Sequence, residues 1–402
     1  MAMFFSKPLK DITYQDILDF CSKKIKENSV LDYKVNFPSK LEKVLAAFAN
    51  TYGGLVIIGV GDKDGLPQDK PIGINFERGL EEKVMGIVLG NIQPPFFPEI
   101  QVCPEVDGKT FVLIQIPQSS NTPHAIENNT LVYLRTGNIT SPEKVADLDE
   151  LHWLSKHRES AILLRSEAIN FVTDRYLSLC KHNKATVDFG ELNMYIIPQY
   201  PQYLSFDMKL FKDEVVGLEV STPDGSTFPS FNRSGIQTMQ DTMYLYSNVK
   251  NELGEFTEYT AFHKTGLLLH CEDVGHAEPN NDGTVTRDIY LLSVVNAYFN
   301  LLRFYNNLRN RIGIWGDFKI NIALLKMDDI NTVPLNATRH YAQPYLGKQY
   351  VYDRILSSYT FNNKRTILDE LVDFATDLHW SFDYPIEKSV VKQRLEEKYK
   401  SY

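Results

Sequence analysis

The sequence predicts an α+β protein in two domains, and three stretches carry that prediction. From Leu31 to Val60 an alternating segment, a helical segment and a continuous apolar run follow one another, which reads as strand, helix, strand. From Met194 to Val274 alternating segments recur, as they do in an antiparallel sheet. Two longer stretches, Glu159 to His182 and Asp288 to about Arg309, repeat apolar residues at helical spacing.

The elements can be taken in order. Thr13 to about Lys26 reads as a helix with Ile17, Leu18, Cys21 and Ile25 on its apolar side. Thr13 and Asp16 have the spacing of a capping box, with Asp in place of Glu or Gln. Lys23, Lys24 and Lys26 fall in the expected last turn, where the helix dipole favours cations. In LDYKVNF the residues Leu31, Tyr33, Val35 and Phe37 share one face, and Asp32, Lys34 and Asn36 share the other. Pro38 ends that strand, and Ser39 is the expected N-cap of a helix with Leu41, Val44, Leu45 and Phe48 inside. Gly53-Gly54 ends it, since a left-handed cap tolerates glycine best. LVIIGV is a strand covered on both faces, and it leads into a turn holding Asp62, Asp64 and Gly65.

A helix follows around Leu80 to Leu89, stopped by Pro94, Pro95 and Pro98. IQVCPEV and TFVLIQIP form a hairpin about Asp107-Gly108. Two short strands flank Asn128-Asn129. SPEKVADLDELHWLSKH reads as a helix with Ser141 as cap and Pro142 in its first position. The domain border is placed at the Glu159 helix, giving domains of residues 1–158 and 159–402. In the second domain MYIIPQY, LSFDMKLF, EVVGLEV, TMYLYSNV and FTEYTAFHKTGLLLHCEDV are expected strands. FKINIALLKM and YVYDRILSSYTF are two more, and Leu368 to Phe382 and the terminal EKSVVKQRLEEKYK are helices.

Composition narrows the function classes. At 402 residues, 43% hydrophobic and 23% charged, the chain fits a globular protein of two or three domains. A net charge of -9 argues against non-specific wrapping of nucleic acid, while leaving room for a local basic patch. Cys21, Cys103, Cys180 and Cys271 have no metal or disulfide spacing and read as small apolar residues in a reducing cytoplasm. No signal peptide and no run of apolar residues long enough for a membrane span is visible. His263, His270 and His276 lack zinc spacing, which favours structural or surface roles.

ENSVLDYK followed by AAFANTYGGLVIIGVGDKDG resembles the AlbA-like domain of the Schlafen family, of prokaryotic type. Glu27, Asp32, Tyr33 and Lys34 match the first motif. Ala47 to Thr51, Gly53-Gly54, Gly59-Val60 and Asp62 match the second. Pro123 and Tyr133-Leu134-Arg135-Thr136-Gly137 resemble the closing element. The resemblance covers roughly the first 150 residues and implies a mixed-sheet domain, followed here by a C-terminal α+β domain with an antiparallel sheet.

For function, the resemblance implies a triad of acids, Glu27, Asp32 and Asp62, as catalytic centre and as ligands of Mg2+ or Mn2+. Two or three carboxylates suffice for such ions, which keep several waters and serve as Lewis acid and water activator. Asp32 departs from the usual Glu and is one methylene shorter. Lys24, Lys26, Lys34 and Arg135 are the expected nucleic-acid contacts. Each acid also has an ordinary role open to it: Glu27 ends a lysine-rich segment, Asp32 can pair with Lys34, and Asp62 can close its own turn. Asn50, Gly53 and Gly54 read as architecture. The glycine runs lack the Gly-Lys-Ser/Thr of a Walker motif, so nucleotide hydrolysis is discounted.

The resulting expectation is a cytoplasmic, metal-dependent endonuclease acting on RNA rather than DNA, with antiphage defence implied by prokaryotic relatives. The C-terminal domain would sense a trigger, bind a partner or form a homo-oligomer. Two alternatives stand beside it. One is a non-catalytic DNA- or RNA-binding module, and the other is a regulatory protein whose C-terminal domain does the work. For the acids to share one metal, Asp32 and Asp62 must meet, most simply on antiparallel strands.

Overall fold

Two neighbouring strands of the N-terminal sheet, β1 (Leu31–Lys34) and β2 (Gly54–Ile58), run parallel, with Leu31 opposite Leu55 and Lys34 opposite Ile58. This corrects the antiparallel arrangement that the shared-metal expectation asked for. The cause is the connection: helix α2 (Leu41–Ala49) lies between them, and a crossover helix returns the chain in the same direction. The strands Val112–Ile116 and Glu99–Val102 complete the sheet antiparallel, in the order β1, β2, Val112–Ile116, Glu99–Val102. The sheet is therefore mixed, and β1 forms one of its edges.

The computed structural model describes residues 5, 9–128, 130–136, 142–183, 189–201, 204, 208–222, 225–230, 235–251, 254–280, 285–312, 314, 317–328, 330–335, 343–345, 347–361 and 364–400. The chain divides into two units, Met1–Leu163 with Trp315–Asp317, and Leu164–Ile314 with Phe318–Tyr402.

In the first unit each face of the sheet has its own core. Leu31, Tyr33, Leu55 and Ile57 pack with helix α1 (Tyr14–Ser22), through Ile17, Phe20 and Cys21. Val56, Ile58, Val112 and Ile114 pack with α2 and with α3 (Leu80–Asn91). Fully burying each such Leu, Ile or Phe contributes roughly 1.5–3 kcal/mol, so the two layers fix which face every β1 residue takes. The expected alternation holds as far as Lys34. Beyond the strand end Val35 is exposed and Phe37 joins the α2 layer.

The local signals were partly right. Thr13 and Asp16 form the expected capping box, but α1 ends at Ser22, before the lysines, with Lys24 left-handed at φ 54°. Helix α2 starts one residue beyond Lys40, which gives no side-chain cap, so Ser39 is not the N-cap. Asp107 and Gly108 turn the expected hairpin with φ of 50° and 74°. Ser141, Asn129 and Gly137 lie outside the described residues. Glu143–Val145 is a strand paired with Leu131–Arg135, where a helix start was expected. The helix opens at Leu148 and runs unbroken to Asn183, in place of two shorter helices. Its cap is Asp147, whose side chain accepts from the Glu150 N–H while Glu150 accepts from the Asp147 N–H.

The second unit holds an antiparallel seven-stranded sheet. Its order is Gln237–Met239, Thr242–Asn251, Gly254–His263, Leu268–Asp273, Glu191–Pro198, Asp317–Leu325, Tyr350–Ser357. The helices Leu291–Ile312, Lys364–Ser381 and Lys388–Lys398 bury a large core with it. Ala168, Val172 and Tyr176 pack with Ile197, Tyr259 and Leu269 in a second cluster. Met208–Val215 is a helix rather than the expected strand, because Phe211 and Val215 recur at helical spacing and enter the core. EVVGLEV holds the end of that helix, a 3-10 turn and the start of a two-residue strand, not one strand. Among the described residues no helix is long and apolar enough to cross a membrane.

Candidate nucleic-acid and metal site

Asp32 follows from the β1 alternation. Its neighbours Leu31 and Tyr33 go to the α1 core, so it points to the opposite face, where it is 1% exposed. A carboxylate buried so deeply needs partners. Lys34, two residues on and on the same face, donates from Nζ to Asp32 Oδ1 at 2.7 Å. Arg135, from the strand Leu131–Arg135, places its Nη1 3.5 Å from Asp32 Oδ2.

Glu27 reaches the same place from the loop after α1. Its Oε1 accepts the Tyr33 backbone N–H at 2.7 Å, and its carboxyl lies beside that of Asp32. Burial, and then the hydrogen bond with Asp32, push the Glu27 carboxyl up to about 7. The structure thus brings Glu27, Asp32, Lys34 and Arg135 together.

Asp62 lies on a separate small hairpin, β3 (Asp62–Lys63) with β4 (Leu66–Pro67). Its Oδ2 accepts the Gly65 N–H at 3.1 Å and so closes its own turn. The hairpin is tied to the site through backbone: the Glu27 N–H donates to the Gly65 carbonyl at 2.8 Å. Among the described residues no group of three or more His, Cys, Asp or Glu side chains could hold a metal ion. The carboxyls that meet are two, Glu27 and Asp32.

The basic residues divide by exposure. Lys26 is exposed. Lys34 is partly exposed and engaged with Asp32. Lys24 donates to the Pro67 carbonyl at 2.9 Å and pairs with Asp69, so it fastens the segment just after α1 to the hairpin. Arg135 was expected to contact phosphate. Its side chain is 2% exposed, enclosed by Asp32, Glu143 and the Phe48 ring, so it cannot reach a ligand directly and acts on Asp32 instead.

Sequence reasoning missed Glu143 and Lys43. Arg135 Nη1 donates to Glu143 Oε1 at 2.9 Å, and Glu143 Oε2 lies 3.5 Å from Lys43 Nζ. The available signal was a charge of each sign at the two ends of a turn-rich segment, which is the pattern of a cross-strand pair. Asn50 is architectural, and more so than its place at a helix end suggested. It donates to the carbonyls of His124 and Tyr133 at 2.8 and 3.0 Å and accepts the His124 N–H at 2.7 Å. It thereby joins α2 to the strand that carries Arg135. In the other unit His263 and His270 bond Thr265 and Thr260.

Residues 27–144 match the family model described as Schlafen, AlbA_2. Among solved structures, one similar chain is the N-terminal domain of a putative ATP-dependent DNA helicase RecG-related protein from Nitrosomonas europaea. It is 21% identical, over 27% of this chain and 74% of that one, with a TM-score of 0.23. No curated protein matches this chain.

Proposed function

We propose that the Schlafen AlbA_2 domain of residues 27–144 binds nucleic acid and cleaves its phosphodiester bonds with the help of a divalent cation. The observation that carries this reading is the meeting of Glu27 and Asp32, two carboxyls in contact with Lys34 beside them. The donor set fits Mg2+ or Mn2+: it is all oxygen, and these ions bind through one or two carboxylates with water and substrate phosphate making up the rest. Arg135 is engaged with Glu143, so the cation would face the two carboxyls with Lys34 beside them.

Glu27 and Asp32 would hold the cation, which when bound would neutralise charge on the phosphate and activate water. Asp62, on the hairpin fastened to Glu27, is kept as the third acid of this proposal. Tyr33 N–H fixes the orientation of Glu27. Lys34, partly exposed at the same place, is the residue available to a phosphate oxygen, and Lys26 extends the basic surface. RNA as substrate, a cytoplasmic setting, antiphage defence and a sensing or homo-oligomerising role for the C-terminal unit rest on the family resemblance and belong to the same proposal.

A second reading has its own observation. Both Asp32 oxygens already face cations, Lys34 and Arg135, which suits a module that binds DNA or RNA without cutting it. A cleavage assay on tRNA, rRNA and single-stranded DNA, with Mn2+ and with chelator, separates the two. Binding without any metal-dependent cleavage would favour the second.

A further inference from the structure

Arg135 has two carboxylate neighbours and one positive charge to share. Its Nη1 is 2.9 Å from Glu143 and 3.5 Å from Asp32, so the contact with Glu143 is a full hydrogen bond and that with Asp32 is at the limit of one. The rest of the guanidinium is anchored by two further contacts. Nη2 donates to the Asn28 carbonyl at 3.1 Å, and the plane lies over Phe48 with its carbon 4.3 Å from the ring centre. Glu143 is the direct cross-strand partner of Arg135, and its side chain is 8% exposed, so this pair is built into the hairpin and poorly screened.

We infer that Glu143 is a positioning residue that sets the cation affinity of the Glu27–Asp32 pair by holding Arg135 back from Asp32. With Glu143 ionised, the arginine charge is shared, and Asp32 keeps only the long 3.5 Å contact to it beside its bond to Lys34. Without that charge the guanidinium turns wholly to Asp32, closes on it as an ion pair and competes with the cation. This inference rests on the reading that Glu27 and Asp32 hold a divalent ion.

The test is Mn2+ binding to the full chain, read by electron paramagnetic resonance and by the rise in melting temperature with added Mn2+. Glu143→Gln keeps an oxygen for Arg135 and removes the charge. Its Mn2+ dissociation constant is expected to rise about tenfold, the lower end of what changing a direct partner of a metal ligand does, because the effect is passed on through Arg135. Glu143→Asp, which keeps the charge on a shorter stem, is expected to fall between it and the wild type, and covers the case in which Glu143→Gln does not fold. A merely structural role would lower the melting temperature without moving the Mn2+ constant. Wild type and both variants binding Mn2+ equally would overturn this inference and leave the metal reading standing. Wild type showing no Mn2+ binding, even with an oligonucleotide present, would overturn both.

Discussion

The Glu27 carboxylate accepts the backbone N–H of Tyr33 at 2.7 Å, six residues along the chain. The Val30 and Lys34 carbonyls face β2, where they accept from Leu55 and from Gly59 and Val60, so Tyr33 N–H points to the open edge of the sheet. Glu27 therefore covers an edge strand and at the same time stands beside Asp32. One acid supports the fold and the site, and substitutions here have to be read for both effects.

Asp32→Ala should be costly to the fold. It removes the buried carboxylate from between Lys34 and Arg135 and leaves Arg135 with less compensation at 2% exposure. Breaking a buried ion pair from one side costs about 3–5 kcal/mol, and the part-exposed Lys34 places this case near the lower figure. Urea unfolding reads it. A loss below about 1 kcal/mol would show that the ion network contributes little.

Asp62→Asn separates the two roles open to Asp62. An asparagine oxygen can still accept from Gly65 N–H, so the turn and the melting temperature should be unchanged. Cleavage should be lost if the charge matters. Full cleavage by the variant would reduce Asp62 to a turn residue.

The basic residues should differ in a graded way. Lys34→Ala and Lys26→Ala should each weaken nucleic-acid binding and lower the salt slope by about one unit per lost phosphate contact. Lys24→Ala should change the slope less, since its ammonium is held on the hairpin by both the Pro67 carbonyl and Asp69. Equal effects from all three would indicate a diffuse field in place of defined contacts.

Acid should weaken the N-terminal unit through His124. Burial holds this imidazole down to about 4, with its Nδ1 against the Pro94 carbonyl. The unfolded chain takes up a proton near the ordinary value of about 6.5, so stability is lost as pH falls from there toward the folded value. Between about pH 7 and about pH 5 the wild type should lose about 2 kcal/mol more than His124→Gln in urea unfolding. Parallel pH curves for the two would place the acid sensitivity elsewhere.

How much of this was legible in the sequence varied with the range of the interaction. The Thr13–Asp16 cap, the Asp107-Gly108 turn and the β1 alternation depend on neighbours in the chain, and they were read correctly. The strand Glu143–Val145 was read as helix because Pro142 suits a first helical turn. Pairing with Leu131–Arg135 decided otherwise, and the Asp147–Glu150 cap set the helix start. The meeting of Glu27 with Asp32 was accessible through a family motif. The burial of Arg135 and the part played by Glu143 were not, because both depend on a long-range ladder and on Phe48 beneath it. The parallel course of β1 and β2 was implicit in the strand–helix–strand pattern itself.

The most direct measurement is single-turnover cleavage of a labelled RNA panel by the full chain with Mn2+, comparing wild type, Glu27→Gln and a chelated control. Glu27→Gln keeps an oxygen for Tyr33 N–H, so its fold should persist, as a circular dichroism melt would show. Wild type should cut at defined positions, and both the chelator and Glu27→Gln should abolish cutting while RNA binding persists. Equal cutting by wild type and a folded Glu27→Gln, or no cutting of any RNA that the wild type binds, would contradict a catalytic Glu27–Asp32 pair.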